Sequence, residues 1–318
     1  MLGDATRFSG LPTPGVGWDS FGLGVIDLDT FVDLTGMATT WLADVCAALV
    51  AERPWRLFCV HFHAIDSFYH LCSVKLDESA TPDPDERRRY EAAEIAVYRQ
   101  LDSAVGHILA AVDTPALTVL VSDHGATPAG APLPLRRILA GAGLLTAEDR
   151  GGRDLADIDW RHTLAAPQGS CFIRLNLKGR EPHGIVAPDE FEEVRARVLR
   201  ALLDYRVPAT GRCPFSLVIP REDAVALGLY GDGVADVVYA VHPEHCEEHG
   251  QMLPQAITGP GAWGMPALRL FSGAGVRTGC VVADPASLTD VAPTICQAPK
   301  IPRPLQADGA LLWRLFDG

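Results

Sequence analysis

Positive charge is scarce in this sequence: 27 lysines and arginines face 40 aspartates and glutamates, a net charge of −13 with histidine neutral. A nucleic-acid-binding surface needs a basic stripe, and the one short basic run, Arg87-Arg-Arg89, opens an amphipathic segment as a solvated face, so no nucleic-acid surface is expected. Paired cysteines are also lacking. The eight (Cys46, Cys59, Cys72, Cys171, Cys213, Cys246, Cys280, Cys296) form no CxxC, so they read mainly as small buried hydrophobes, with Cys59 and Cys171 inside apolar strand patterns. No apolar run reaches membrane-spanning length and no charged-then-apolar leader opens the sequence, which points to a soluble, cytoplasmic protein with no membrane partner. Repeats at solenoid periods are missing too.

What is present describes a globular α/β protein. With 48% hydrophobic and 21% charged residues over 318 positions, a large core is affordable as one α/β domain or as a domain with an insertion. The run Ala116-Leu-Thr-Val-Leu-Val-Ser-Asp-His-Gly125 is apolar and β-branched until it stops at Asp123 and His124. Such a run reads as a core strand of a parallel sheet, and ligands in open α/β sheets sit beyond the carboxyl ends of such strands. A second run, Trp55-Arg-Leu-Phe-Cys-Val-His-Phe-His-Ala-Ile-Asp-Ser-Phe-Tyr-His70, delivers Asp66 and His70 four residues apart, on one face if the turn is helical. Between them Tyr90, Val97, Leu101, Ala104, Ile108 and Val112 recur at helical spacing. Strand, helix and strand form a βαβ unit, whose right-handed crossover brings both Asp/His pairs to one edge of a doubly wound, mostly parallel sheet. Asp and His together suit divalent cations.

Residues 1–24, rich in Gly, Pro, Ser and Thr, read as an irregular arm, and residues 25–318 as the α/β domain, with about 146–240 as an inserted or cap subdomain. Helices are expected over residues 25–51, 135–140, 188–205 and 287–297, and strands over 170–177, 214–219, 234–241 and 267–271. The loop after the 234–241 strand holds His242, His245 and His249. Of these His249, followed by Gly250, is the candidate third donor beside Asp66 and His70, because three protein ligands and an open position make a catalytic zinc site.

In this order the motifs resemble the alkaline phosphatase superfamily, in its type I phosphodiesterase and phosphohydrolase-like branch. The residues carrying the resemblance are Ala64-Ile-Asp-Ser-Phe-Tyr-His70, Val121-Ser-Asp-His-Gly125, Asn176-Leu-Lys-Gly-Arg-Glu-Pro-His-Gly-Ile-Val186, Glu248-His-Gly-Gln-Met-Leu-Pro254, Ser272-Gly-Ala-Gly-Val276 and Thr289-Asp-Val-Ala-Pro-Thr-Ile295. The resemblance implies an alkaline-phosphatase-like fold and up to two divalent ions, usually zinc with manganese as the alternative. It places one ion on Asp66, His70 and His249 and assigns Asp123 and His124 to the other. It also implies in-line displacement at a phosphoester small molecule. The family's remaining Asp ligand and its Thr or Ser nucleophile have no match ahead of Asp66. Asp27, Asp29 and Thr30 lie too close to that strand to stand in, so both groups are expected in an N-terminal portion that lies on a separate polypeptide or is absent from this sequence; the partner is that N-terminal half or, as the alternative, a homo-oligomer. An alternative register would put Trp263 at the third-ligand position, and Arg180 is either a substrate contact or structural. The expected function is a metal-dependent phosphoester hydrolase. The alternative is a non-catalytic binding or scaffold protein that keeps the fold.

Overall fold

The computed structural model describes residues 18–125, 133–152, 154–169, 171–245, 267–273, 275–282, 286–297 and 301–316. The chain divides into two compact units, residues 1–125 with 266–318, and residues 126–265.

The first unit is built on α1 (Trp18–Gly22), α2 (Leu28–Glu52), α3 (Ala64–Leu76) and α4 (Pro84–Ala110). Asp27 caps α2 by accepting from the Thr30 amide at 2.9 Å, and Asp83 caps α4 by accepting from the Asp85 amide, with Pro84 at the first helical position. Contacts between α2 and α4 keep the same order along both helices: Asp29 with Arg89, the Val32 carbonyl with Gln100, Asp44 with His107. The two helices therefore run parallel. The α3 contacts run in reverse, Tyr69 with Glu94 and Lys75 with Glu86, so α3 is antiparallel to α4. Leu28, Phe31, Val32, Ala64, Phe68, Cys72, Ala93 and Val97 fill the space between them. By length and composition α2 could cross a membrane, contrary to the expectation that no segment would, but Phe31, Val32, Ala43, Cys46, Ala47 and Val50 are buried along it.

β1 (Leu117–Val121) pairs antiparallel with β6 (Arg269–Gly273), Leu117 opposite Gly273 and Val121 opposite Arg269. After β6 a 3-10 turn, Leu288–Asp290, leads into α7 (Val291–Gln297). Its start is a capping box: the Ser287 side chain accepts from the Thr289 amide and Asp290 accepts from the Ser287 amide.

The strand expected within residues 55–70, ahead of Asp66, forms no ladder among the described residues, and both sheets that the structure shows are antiparallel. A strand requires a neighbour for its backbone donors and acceptors. Here Trp55, Phe58 and Phe62 instead pack on the Ala43, Cys46, Val50, Ala104 and Ile108 cluster of α2 and α4. Leu57, Cys59 and Val60 are exposed. The reading of Cys59 as buried is thereby corrected, whereas Cys46, Cys72 and Cys171 are buried and all seven described cysteines are free thiols.

The second unit holds α5 (Leu135–Gly141), β2 (Ala165–Gln168), β3 (Phe172–Leu175), α6 (Phe191–Asp204), β4 (Phe215–Pro220) and β5 (Val237–Val241). Its sheet runs β2-β3-β5-β4, antiparallel throughout. The β5 sequence is apolar without alternation because both of its faces are covered. Val237 and Tyr239 join the cluster under α6 with Ile173, Leu175, Val194, Val198 and Leu202. Val238 and Ala240 join Cys171, Ala224 and Val234 on the opposite face. The expected helices and strands here form within a few residues of their expected limits; β2, at residues given no helix or strand in the sequence reading, is additional.

Candidate metal-binding residues

Asp66 lies in the first turn of α3, where the helix dipole favours an anionic side chain. One turn on, the His70 Nε2 stands 3.5 Å from Asp66 Oδ1. From the other side His63, at the helix N-cap, brings Nδ1 to 3.7 Å from Asp66 Oδ2, and the His61 and His63 rings lie 4.1 Å apart at their centroids. The Asp66 carboxylate is thus bracketed by two imidazoles. The helical turn needed to join Asp66 and His70 forms as expected. His63 was not anticipated, although its place three residues before Asp66 on a helix is itself a signal.

α3 is fixed to α4 by the Tyr69 hydroxyl, which donates to Glu94, and by Lys75, which donates to Glu86 at 2.8 Å. Burial, followed by the Glu94 hydrogen bond, raises the Tyr69 pKa, so the phenol remains a donor. The groove lined by Tyr69, Glu94, Ile95, Tyr98, Arg99 and Asp102 contains none of the expected ligands.

The second pair leaves the end of β1. His124 Nε2 is 3.6 Å from Asp123 Oδ2. The His124 Nδ1 lies 2.8 Å from the Gly125 carbonyl oxygen, which can only accept, so Nδ1 carries the proton and Nε2 the lone pair in the neutral ring. A backbone carbonyl that sets the tautomer in this way is the usual outer support of a metal-binding histidine. The Ser122 hydroxyl donates to the His124 carbonyl and adds a second local tie.

Two donors that share a tetrahedral ion, each about 2.0–2.1 Å from it, lie about 3.3 Å apart. Both Asp/His separations suit a shared cation. Among the described residues no group of three or more His, Cys, Asp or Glu side chains could hold a metal ion. His249 and Trp263 lie outside the described residues.

Asp27, Asp29 and Thr30 are occupied otherwise: Asp27 caps α2, Thr30 supplies the capped amide, and Asp29 pairs with Arg89 at 3.3 Å. Arg180 is likewise accounted for by structure. Its Nη1 and Nη2 donate to Asp236 at 2.7 and 2.6 Å, its Nε donates to Glu181 and its Nη2 also donates to the Leu175 carbonyl. Asp236 is 1% exposed and also accepts from the Leu175 amide at 2.7 Å. Arg180 therefore ties β3 to β5. The Asn176 side chain donates to the Trp160 and Thr163 carbonyls, and a Cβ on Gly184 would stand 2.1 Å from the Leu177 carbonyl oxygen. These residues of the 176–186 motif serve a tight turn.

The family model for type I phosphodiesterase / nucleotide pyrophosphatase matches residues 20–246, a stretch that includes Asp66, His70, Asp123 and His124 and ends before His249. No curated protein and no solved structure matches the chain.

Proposed function

Because the chain belongs to the type I phosphodiesterase / nucleotide pyrophosphatase family, part of the alkaline phosphatase superfamily, we propose that its Asp/His pairs bind divalent cations for phosphoester hydrolysis. The observation that carries this reading is the repeated Asp/His spacing, 3.5 Å in one pair and 3.6 Å in the other, with the His124 tautomer set by the Gly125 carbonyl. Asp66 and His70 hold one ion with His249 as third donor, and Asp123 and His124 contribute to a second. The cations are zinc, with manganese as the alternative. When bound, they supply Lewis-acid polarisation of the phosphoryl group and a lowered pKa for the attacking oxygen.

The side chains hold geometry. α3 presents Asp66 and His70 from one rigid face, the Nδ1 bond fixes the ring of His124, and His63 limits rotation of Asp66. The attacking hydroxyl and one further carboxylate ligand come from outside the described residues, on a separate polypeptide that carries the family's N-terminal portion. The occupied roles of Asp27, Asp29 and Thr30 support this assignment. The exposed apolar side chains of Leu57 and Val60 support a finer fold in which residues 55–62 take the parallel ladder partners of a doubly wound sheet. The same absence of a nucleophile among the described residues favours one second reading, a non-catalytic descendant that binds metal and phosphoester without turnover.

The test is zinc uptake by the full chain after chelation, together with hydrolysis of bis(4-nitrophenyl) phosphate. Up to two zinc ions per chain with turnover are expected when the missing groups are supplied, and at most about one ion for the chain alone. Zinc uptake with no turnover in the completed assembly selects the binding protein. A folded chain that takes up no divalent metal rejects both metal-based readings.

A further inference from the structure

In the β1–β6 ribbon Arg269 stands directly opposite Val121, and the pairing extends one residue further through the Ser122 amide, which donates to the Leu268 carbonyl at 3.0 Å. Directly opposed residues of an antiparallel pair share a face, and a residue two positions along is a diagonal neighbour, roughly 7–8 Å away and within reach of a long side chain. Asp123 follows Val121 by two residues, just past the end of β1, on the strand side that Arg269 faces by register. The ribbon thus sets Arg269 against the end of β1 from which Asp123 and His124 leave.

The Arg269 guanidinium carries one orphaned donor. Its Nη1 is buried and finds no hydrogen-bond acceptor among the described residues. Asp123 has His124 as its near neighbour, at 3.6 Å, and no ion pair joins it to Arg269 among the described residues. A buried donor without an acceptor is rare and costs stability, which makes it a sign of a partner that arrives later. The partner chemistry follows from the group. A planar fork of N–H donors matches two oxygens of a phosphate or carboxylate, while the neighbouring Asp and His suit a cation.

We propose that Arg269 is a substrate-binding residue, its guanidinium donating to the non-bridging oxygens of a phosphoester held beside Asp123 and His124. The assignment rests on the phosphohydrolase reading and specifies how that site holds its anion. Arg269 orients the phosphoryl group and offsets its charge, while Asp123 and His124 keep their donor atoms for metal.

The experiment uses the full chain, zinc-loaded and zinc-free, with inorganic phosphate as the probe and calorimetry, thermal unfolding and zinc content as readouts. Arg269→Met should leave zinc content unchanged, leave the unfolding temperature equal or higher, and weaken phosphate binding by about tenfold or more. Arg269→Lys, which keeps the charge but loses the fork, should fall between them. Equal phosphate affinity in wild type and variant at equal zinc content overturns the proposal, as does a drop in unfolding temperature with affinity intact, the mark of a structural arginine. If the methionine variant does not fold, the lysine variant decides, and undiminished affinity there overturns the proposal. Wild type that binds no zinc rejects the metal reading alone, because Arg269 is still judged by the phosphate affinity ratio measured on the zinc-free chain at low ionic strength.

Discussion

Replacing Asp236 by alanine should be among the most damaging single changes in the second unit. The carboxylate is 1% exposed and accepts three short hydrogen bonds, two from Arg180 at 2.7 and 2.6 Å and one from the Leu175 amide at 2.7 Å. Alanine leaves a half-buried guanidinium without its bidentate partner and a backbone N–H of β3 without an acceptor. Removing one member of a buried ion pair costs about 3–5 kcal/mol. Removing both charges is different: Asp236→Leu with Arg180→Met leaves the Leu175 amide as the main orphan, at about 1–3 kcal/mol. Hydrogen exchange of β3 and β5 peptides in the full chain separates these cases, because core amides report the opening free energy of their own unit. Protection should fall roughly 100-fold to several-thousand-fold in Asp236→Ala and recover partly in the double variant. A loss under about 1 kcal/mol in the single variant, or no recovery in the double, would refute the assignment of Arg180 to structure.

Four further outcomes are expected. Gly273→Ala should loosen the β1–β6 ribbon, since φ is +101° and a Cβ would stand 2.1 Å from the Ala116 carbonyl oxygen. Its cost, over about 1–3 kcal/mol, is read by thermal unfolding and by faster exchange in 117–121. Asp66→Asn should lower zinc affinity at the first site by at least about 10–100-fold while leaving the circular dichroism unchanged, as checked by zinc titration. Burial pushes the Cys72 thiol up to about 12 and the Cys171 thiol up to about 11, so iodoacetamide at pH 8.5 should spare both and label the exposed Cys59 and Cys280, as peptide mass spectrometry will show. Hydrogen bonds from Arg137 and the Gly151 amide hold the Asp149 carboxyl at about 2, below its ordinary 3.8. A depressed carboxylate favours the folded state above its unfolded pKa and loses that contribution as pH falls through the folded one. The Asp149–Arg137 pair should therefore persist at pH 3, with an NMR carboxyl midpoint near 2, and a midpoint near 3.8 would show that the pair does not form in solution.

The helices were legible because their apolar stripes are long. Val97, Ala104 and Ile108 in α4 are buried as their spacing required. In α2 the helix was legible but its buried face was not, since of the expected stripe Phe31, Leu34, Trp41, Leu42, Val45 and Leu49 only Phe31 is buried, and the small residues Ala43, Cys46 and Ala47 face the core instead. The Ser287 cap is a local signal that needs no tertiary knowledge. β5 was legible through its unbroken apolar run. At residues 55–62 hydrophobicity reports burial preference and not ladder partners: Trp55, Phe58 and Phe62 pack on α2 and α4, and the same run would serve a buried strand equally well. β2 went unseen because Ala-Ala-Pro-Gln lacks both β-branching and alternation. In the candidate site, the Asp66/His70 and Asp123/His124 pairings were readable from sequence separation alone. The tautomer of His124, set by its own neighbour's carbonyl, and the orphaned Nη1 of Arg269 depend on coordinates that no periodicity encodes. Arg180 shows the converse case, a motif arginine whose donors are spent on Asp236, Glu181 and Leu175.

Anomalous diffraction at the zinc absorption edge, from crystals of the full chain grown with zinc, tests the central claim most directly. The account predicts one peak about 2.0–2.2 Å from both the Asp66 carboxylate and His70 Nε2, and a second at the same distances from Asp123 and His124 Nε2 once the remaining ligand is supplied. Zinc peaks found only at other side chains, with both Asp/His pairs bare at saturating metal, would contradict it.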